Sequence, residues 1–202
     1  MLFNLAVTRY EGETFLEDDF SDIQLTGFHF SHCKFRGAAM SSLQTCSCSF
    51  DCCDFSFASL SGSIHSKSAF LNCVFAGASL FSAEFHQCKC SGSSFQGACL
   101  TNLLLDGGNY SYTVFYGCDL RKANLQGINL SHADLRCANL SDTLLCGADL
   151  RHALLAGADL TRSDLRDAPT DGTDLRSAKL YKTRLDLRQA VQLAHSLGGL
   201  VE

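Results

Sequence analysis

The stretch HADLRCANLSDTLLCGADL, residues 132–150, carries a leucine at every fifth position. A small residue stands two positions before each of these leucines, and Asp or Asn usually stands directly before it. A period of five fits neither the repeat of an α-helix, about 3.6 residues, nor the two-residue repeat of a β-strand. The stretch therefore indicates a repeat of another kind.

The five-residue repeat runs through almost the whole chain. Of the 35 positions divisible by five between 15 and 185, 31 hold Phe, Leu, Met or Tyr, and we call these 35 the central positions. The exceptions are Thr45, His65, Cys90 and Thr170. Two residues before each central position lies a small slot, which from 33 to 183 holds Ala, Ser, Thr, Cys or Gly at 28 of 31 places. The exceptions there are Leu43, Leu103 and Ile128. Alternating large and small side chains predict a narrow, closely packed interior.

A second period, of twenty residues, gives the shape of the coil. Phe occupies every twentieth position from 15 to 115, and Leu occupies every twentieth position from 60 to 180. Four five-residue units therefore make one turn of a solenoid with four faces, and like residues stack on like. Turns that pair through parallel bridges lie about 4.8 Å apart, and the repeat has room for about nine of them.

The motifs ADLRC, ANLSD, GADLRH, GADLTR and SDLRD resemble those of the pentapeptide repeat family, whose consensus is a small residue, Asp or Asn, Leu or Phe, and two variable residues. The resemblance covers about residues 10–187. It implies an all-β fold, a right-handed quadrilateral β-helix of about nine coils followed by a short C-terminal α-helix. We predict the repeat β-helix over residues 1–185, and a capping or dimerisation helix with a tail over residues 186–202.

The C-terminal stretch LDLRQAVQLAHSLGGLVE, residues 185–202, loses the period of five and takes up a helical one. Asp186 is the predicted N-cap, and Gly198 or Gly199 the stop. One face of the helix is apolar, which fits a cap over the open end of the solenoid. This ending is similar to that of the fluoroquinolone-resistance pentapeptide proteins, the Qnr group and its mycobacterial relative. The resemblance implies a dimer joined end to end through Leu187, Val191, Ala194 and Leu197.

Composition limits the classes of partner and compartment. The 202 residues carry a net charge of −5, which disfavours direct binding to nucleic acid through phosphate contacts. No apolar stretch approaches the ~20 residues of a membrane-spanning helix. The N-terminal MLFNLAVTRYEGE is a poor signal peptide. We expect a single-domain cytoplasmic protein in which the twelve cysteines remain free thiols.

Nothing in the sequence indicates catalysis. The seven histidines are scattered, and GxSxG, Walker and HExxH motifs are missing. A filled interior would offer no cavity to a substrate. The Cys46/Cys48 and Cys88/Cys90 pairs would point alternately in and out, so they do not predict a tetrahedral metal site. We expect no enzyme activity, no cofactor and no metal.

Around His65, residues 61–69 predict a distorted face or small bulge, with a partner-contacting loop as the alternative.

Nine of the 21 acids stand directly before central positions. Asp and Asn side chains often bond the backbone of a turn there, which is the structural interpretation. The resemblance implies a functional one, an acidic surface that imitates DNA phosphates and occupies the DNA-binding saddle of DNA gyrase or topoisomerase IV. Protection of the enzyme from a quinolone or a natural-product toxin would follow, and a scaffold for a different protein partner is the alternative. Nearby arginines either lie on a separate face or pair with these acids. The candidate contact residues are Asp119, Asp134, Asp149, Asp159, Asp164 and Asp174.

Overall fold

The chain winds into a β-solenoid in which the bridged residues of successive coils lie twenty positions apart. In the computed structural model, which describes residue 4, residues 6–16 and residues 18–201, every ladder is parallel with this register. Face A holds the central positions 10, 30, 50 and every twentieth thereafter; face B starts at 15, face C at 20 and face D at 25. Residues 1–3, 5, 17 and 202 of the two predicted segments lie outside the described residues. The predicted fold class is confirmed.

Short strands form two of the faces. On face A the order is β1-β3-β5-β7, and on face D it is β2-β4-β6-β8-β9. The strands are β1 Arg9–Glu11, β2 Gln24–Thr26, β3 His29–Ser31, β4 Gln44–Cys46, β5 Ser49–Asp51, β6 Ile64–Ser66, β7 Ala69–Leu71, β8 Glu84–His86 and β9 Leu104–Asp106. Regular strands thus build about five turns, fewer than the nine predicted, and isolated bridges continue the same register as far as Arg184. A 3-10 turn, Leu175–Ser177, and helix α1, Leu187–Ser196, follow.

The chain turns a corner after every central residue. The second residue after the central one has a positive φ at every described position from 12 to 182 except Ser177. Glycine, or a residue that tolerates the left-handed region such as Asn, Asp or His, suits this corner. The Asp or Asn before the central residue accepts a bond from the backbone N–H two residues later, as from Ser131 to Asn129 at 2.9 Å. The structural interpretation of these acids is therefore confirmed.

Aromatic columns fill the interior of the N-terminal half. On face A the rings of Phe30 and Phe50 stack with centroids 4.9 Å apart and an interplanar angle of 4°. On face B, Phe75 and Phe95 stack at 4.7 Å and 1°. These spacings match the rise between parallel strands, so the coil repeat itself places the rings in stacking contact.

The face around His65 is regular, so the predicted distortion of residues 61–69 is wrong. His65 lies in β6 and is fully buried. Its Nδ1 is hydrogen-bonded to the Thr45 hydroxyl at 2.8 Å and its Nε2 to the Ser63 hydroxyl at 2.9 Å. Because both ring nitrogens have partners, the imidazole replaces a large apolar side chain without disturbing the coil.

The seven buried cysteines behave as small apolar residues, and Cys88 and Cys90, which were expected to point alternately in and out, are both buried. All twelve are free thiols, and all lie within the described residues. Buried thiols donate to carbonyl oxygens of the preceding coil, for example Cys73 Sγ to Phe50 at 3.4 Å and Cys118 Sγ to Phe95 at 3.2 Å. Within the described part of the chain, no three His, Cys, Asp or Glu side chains are placed to hold a metal ion. Nor does any described helix have the length and apolar character needed to cross a membrane.

Candidate interaction surfaces

Helix α1 begins at a capping box. The Asp186 carboxylate accepts from the backbone N–H of Gln189 at 2.9 Å, and the Gln189 side-chain oxygen accepts from the backbone N–H of Asp186 at 3.0 Å. The bond from Gln189 is the main reason why the pKa of Asp186 is lowered. Two otherwise unpaired N–H groups of the first turn are satisfied in this way, so the predicted N-cap is confirmed.

The face of α1 that covers the end of the solenoid combines Leu193, which packs on the core, with two glutamines. Gln189 is buried, and its Nε2 donates to the carbonyl oxygens of Leu165 and Ala168 at 2.6 and 2.8 Å. Gln192 exchanges hydrogen bonds with the side chain and carbonyl of Thr170. The last coil has no further coil to receive its backbone groups, and the two glutamine amides supply the missing partners.

The four residues predicted to join two subunits lie on the other side of α1. Leu187 is 81% exposed and Leu197 70% exposed, while Val191 and Ala194 are half-buried. Leu200, which the sequence did not single out, is 92% exposed beyond the helix. The apolar face is therefore turned away from the solenoid in this single chain. Sequence periodicity located the apolar face, but it did not indicate that glutamines would make the cap.

The six candidate acids all lie in ion pairs. Five of them bind the arginine two residues later, in the motif Asp-Leu-Arg. These pairs are Asp119–Arg121, Asp134–Arg136, Asp149–Arg151, Asp164–Arg166 and Asp174–Arg176, with distances of 2.6 to 2.8 Å. Asp159 binds Lys179 of the next coil at 2.9 Å. The residues on either side of a central leucine both point outward, so the Asp and Arg of an Asp-Leu-Arg motif lie next to each other on the surface. This motif was the feature of the sequence that indicated the ion pairs.

Pairing fixes the charge state of this surface. Hydrogen bonds from Arg166 hold the pKa of Asp164 far below its ordinary value, and the pKa of Arg166 is raised in return. Hydrogen bonds from Thr161 and then Lys179 lower the pKa of Asp159 to about 2. The acids therefore stay ionised at neutral pH while a cation lies against each, and the surface formed by the six pairs is close to neutral.

Acids without a basic partner are concentrated in the N-terminal half. Residues 1–100 hold nine acids and five bases, against twelve and eleven in residues 101–202. Seven acids of this half have no Arg, Lys or His partner among the described residues. They are Glu11, Glu13, Asp18, Asp19, Asp22, Asp51 and Asp54. The negative field of the molecule thus comes mainly from the end remote from α1.

A cleft opens the solenoid on faces C and D. Its walls are residues 100–105 and 119–125, and its volume is about 590 Å³. On face C bridging stops at Cys99 and resumes at Asp119; on face D it stops at β9 and resumes at Asn124. Faces A and B stay continuous past the same point. The prediction of an interior without any cavity is therefore wrong at this position.

Comparisons with known proteins agree on the fold. A family model described as pentapeptide repeats matches eight copies, over residues 53–89, 98–136, 113–151, 133–168 and 153–187. The chain is similar to a trypsin-treated variant of QnrB1, described as a plasmid-mediated fluoroquinolone resistance protein, with 25% identity and a TM-score of 0.82 over 96% of this chain and 97% of that one. Full-length QnrB1 gives 25% identity and a TM-score of 0.80 over 94% and 97%.

The chain also shares its fold with HetL, a pentapeptide repeat protein from the cyanobacterium Nostoc sp. strain PCC 7120 that is involved in heterocyst differentiation regulation. The two chains are 23% identical and superpose with a TM-score of 0.55 over 87% of this chain and 86% of HetL. No curated protein matches the chain significantly in sequence.

Proposed function

Since the chain belongs to the pentapeptide repeat family, we propose that it binds DNA gyrase, with topoisomerase IV as a second target, and protects it from poisons such as quinolones or a natural-product toxin. The observation that carries this proposal is the similarity to QnrB1 over nearly the full length of both chains, at 25% identity. No reaction is catalysed in this mechanism. The protein acts in the cytoplasm, where it competes with duplex DNA for the saddle of the enzyme or destabilises the poisoned complex.

We infer that two different parts of the rod imitate the shape and the negative charge of duplex DNA. Carboxylates already bound by arginine attract the cations of a DNA-binding saddle only weakly, because the paired guanidinium cancels most of their field. The acids of the N-terminal half that have no basic partner among the described residues, here called the free acids, include Glu11 and Asp51 on face A. Their negative charge attracts cations over a longer distance. The six paired acids, Asp119 to Asp174 in chain order, then contribute contact area and hydrogen-bond acceptors more than net charge.

Dimerisation through α1 is the second part of the proposal. Leu187 and Leu197 are mostly exposed in the single chain, and burying a leucine side chain contributes about 1.5–3 kcal/mol. Two rods joined end to end about a two-fold axis would cover both leucines together with Val191 and Ala194. A C2 arrangement needs one self-complementary patch, and an apolar helix face without charged residues satisfies that need.

Light scattering tests the assembly. Wild-type protein should be a dimer, and Val191→Asp or Leu197→Asp should be monomeric, because either change buries an unpaired charge at the interface. Leu154→Asp is the matched control, since Leu154 is 49% exposed on the side of the rod. A monomeric wild type, or a dimer that persists in both variants, would contradict the assignment.

Supercoiling by purified gyrase, titrated with this protein with and without ciprofloxacin, tests the function. Restored supercoiling and less drug-induced cleavage are expected. Asp51→Asn should weaken protection more than Asp119→Asn, because only Asp51 has no basic partner. Inhibition without protection would keep gyrase as the partner but remove the protective role. No effect with or without the drug would leave the second candidate, a scaffold for a different protein partner, which the neutral surface of the C-terminal half favours.

A further inference from the structure

The cleft leaves two rows of backbone groups without hydrogen-bond partners. One coil earlier, the Leu80 N–H donates to the Cys99 carbonyl at 2.9 Å, as equivalent groups do along the ladder. The equivalent N–H groups of Leu100 and Asn102 on face C, and of Leu105 on face D, have no acceptor among the described residues. The opposite wall is unpaired as well: the N–H groups of Asp119 and Asn124 have no acceptor in the coil before them. Both walls thus present sheet edges, which are templates for strand pairing.

The local sequence explains why the cleft lies here. Of the three bulky residues in the small slots, Leu103 lies in one wall of the cleft and Ile128 follows the other wall in sequence. A bulky slot alone does not open the ladder, because Leu43 occupies the same column as Leu103 and its neighbours remain paired. The second element is Gly108, whose φ is +103° and which packs so closely on the Cys88 backbone that a Cβ would overlap it. The chain between the two walls therefore lies close to the preceding coil at Gly108, whereas the walls themselves are not bridged.

The walls restrict what can fill the cleft. The interior side is apolar, with Leu105 and Leu120 buried and Leu103 half-buried. The charge of Asp119 at the rim is already matched by Arg121 at 2.6 Å, so the rim does not select for an ion. Unpaired donors and acceptors run in rows along both walls. An extended polypeptide offers donors and acceptors on both of its edges at the matching rise of about 3.3 Å per residue.

We propose that this cleft receives a segment of a partner protein, extended along each face and turning once at the corner of faces C and D, which inserts as an additional strand between the two coils. Its backbone pairs with both walls, its inward side chains meet the leucines of the interior, and its outward side chains lie beside Leu104. This surface is separate from the free acids of the N-terminal half and from the outward face of α1, and of the six ion pairs it includes only Asp119–Arg121. The proposal therefore does not depend on a topoisomerase being the partner.

Hydrogen exchange of the free protein is the first test. The amides of Leu100, Asn102 and Leu105 should exchange much faster than Leu80 and Ser82, whose N–H groups are bonded to the following coil. Equal protection of the two sets would mean that the cleft is closed in solution, and it would overturn the proposal. Protection that appears only on raising the protein concentration would identify a second copy of the chain as the occupant, which would also overturn it.

A peptide probe tests occupancy directly. The probe is a fluorescent copy of residues 158–167, ADLTRSDLRD, which forms the corner of faces C and D in a closed coil and contains no cysteine. Anisotropy should show saturable binding, with new protection of the cleft amides. A copy that is N-methylated at its two leucines should not bind, because it lacks the backbone donors. No saturable binding, or protection elsewhere on the rod, would refute the proposal.

Two matched variants locate the probe. Leu104 and Leu144 occupy the same repeat position on face D and are 37% and 42% exposed, but Leu144 lies in a closed ladder between Asn124 and Asp164. Leu104→Asp should weaken probe binding about fivefold, the size of one strong cross-strand pair. Leu144→Asp should leave it unchanged. Equal effects of the two substitutions would show that the probe does not enter the cleft.

Discussion

Replacing His65 by phenylalanine should remove a specific acid sensitivity of the fold. His65 lies in the interior with its ring centroid 4.6 Å from that of Phe85 and 4.9 Å from that of Phe70. Burial lowers its pKa to about 3, because an imidazolium there would lose its hydration. The folded-state pKa thus lies below the unfolded value of about 6.5. The stabilising contribution is complete above pH 6.5 and is lost as the pH falls toward 3.

The magnitude follows from proton linkage. Between these two pKa values the unfolded chain binds one proton more than the folded chain, so the free energy of unfolding falls by about 1.4 kcal/mol per pH unit. From pH 6.5 to 4.5 this amounts to about 2.3 kcal/mol, because the unfolded imidazole is only half protonated at pH 6.5. Aspartates whose pKa the fold lowers also lose stabilisation toward the acid end of this window, but they are the same in both proteins. Hydrogen bonds to Asp106 and then Glu84 raise the pKa of His86. This shift stabilises the fold as the pH falls, opposite to the effect of His65, but it is the same in both proteins.

Urea unfolding of wild type and His65→Phe at pH 7, 6, 5 and 4.5 measures the effect. At pH 7 the free energy of unfolding of the variant is lowered by a constant amount, because the Ser63 hydroxyl loses its hydrogen-bond partner. An unpaired buried hydroxyl costs about 1–3 kcal/mol. Below pH 6.5 the difference between the two proteins should shift steadily in favour of the variant. In wild type, the ring proton of His65 should not titrate by NMR above pH 4. Parallel pH profiles, or a ring that titrates near 6.5, would refute the buried, neutral imidazole.

Three further predictions concern the architecture. Gly108→Ala should lower the free energy of unfolding by well over 1 kcal/mol, and Gly117→Ala by only about 1 kcal/mol. Both glycines have a positive φ, but only at Gly108 would an added Cβ overlap backbone atoms. Urea denaturation of the two variants measures the difference. Asp164→Asn should cost about 1 kcal/mol in the same assay and Asp119→Asn close to nothing, since the first carboxylate is 6% exposed and the second 55%; equal losses would contradict the role of burial. Gln189→Leu should release α1, measured as faster hydrogen exchange throughout the helix, because two carbonyl oxygens of the last coil lose their donor; unchanged protection would show that the amide does not hold the cap.

Some features of the candidate surfaces are determined by neighbouring residues in the sequence, and others by residues that are distant in the sequence. Asp134 and Arg136 flank one central leucine, so their ion pair is encoded within three residues, and the motif was sufficient to raise it as an alternative. The orientation of α1 is different. Its apolar stripe was evident from the sequence, but Gln189 and Gln192 cover the solenoid because carbonyls some twenty residues earlier need donors. A helical pattern describes which residues share a face, and it does not indicate what that face meets.

The sequence by itself determined the coil, because a period of five with two inward side chains sets each corner locally and a period of twenty stacks like on like. It also determined the Phe columns, the free thiols and the position of the helix. Tertiary structure alone decided that His65 fits a regular strand, since Thr45 and Ser63 reach its two nitrogens from their places in the folded coil. It also decided that the ladder opens beside Leu103 while it stays closed beside Leu43. Whether two coils pair depends on the packing of residues twenty apart, and that packing exists only once the chain has folded.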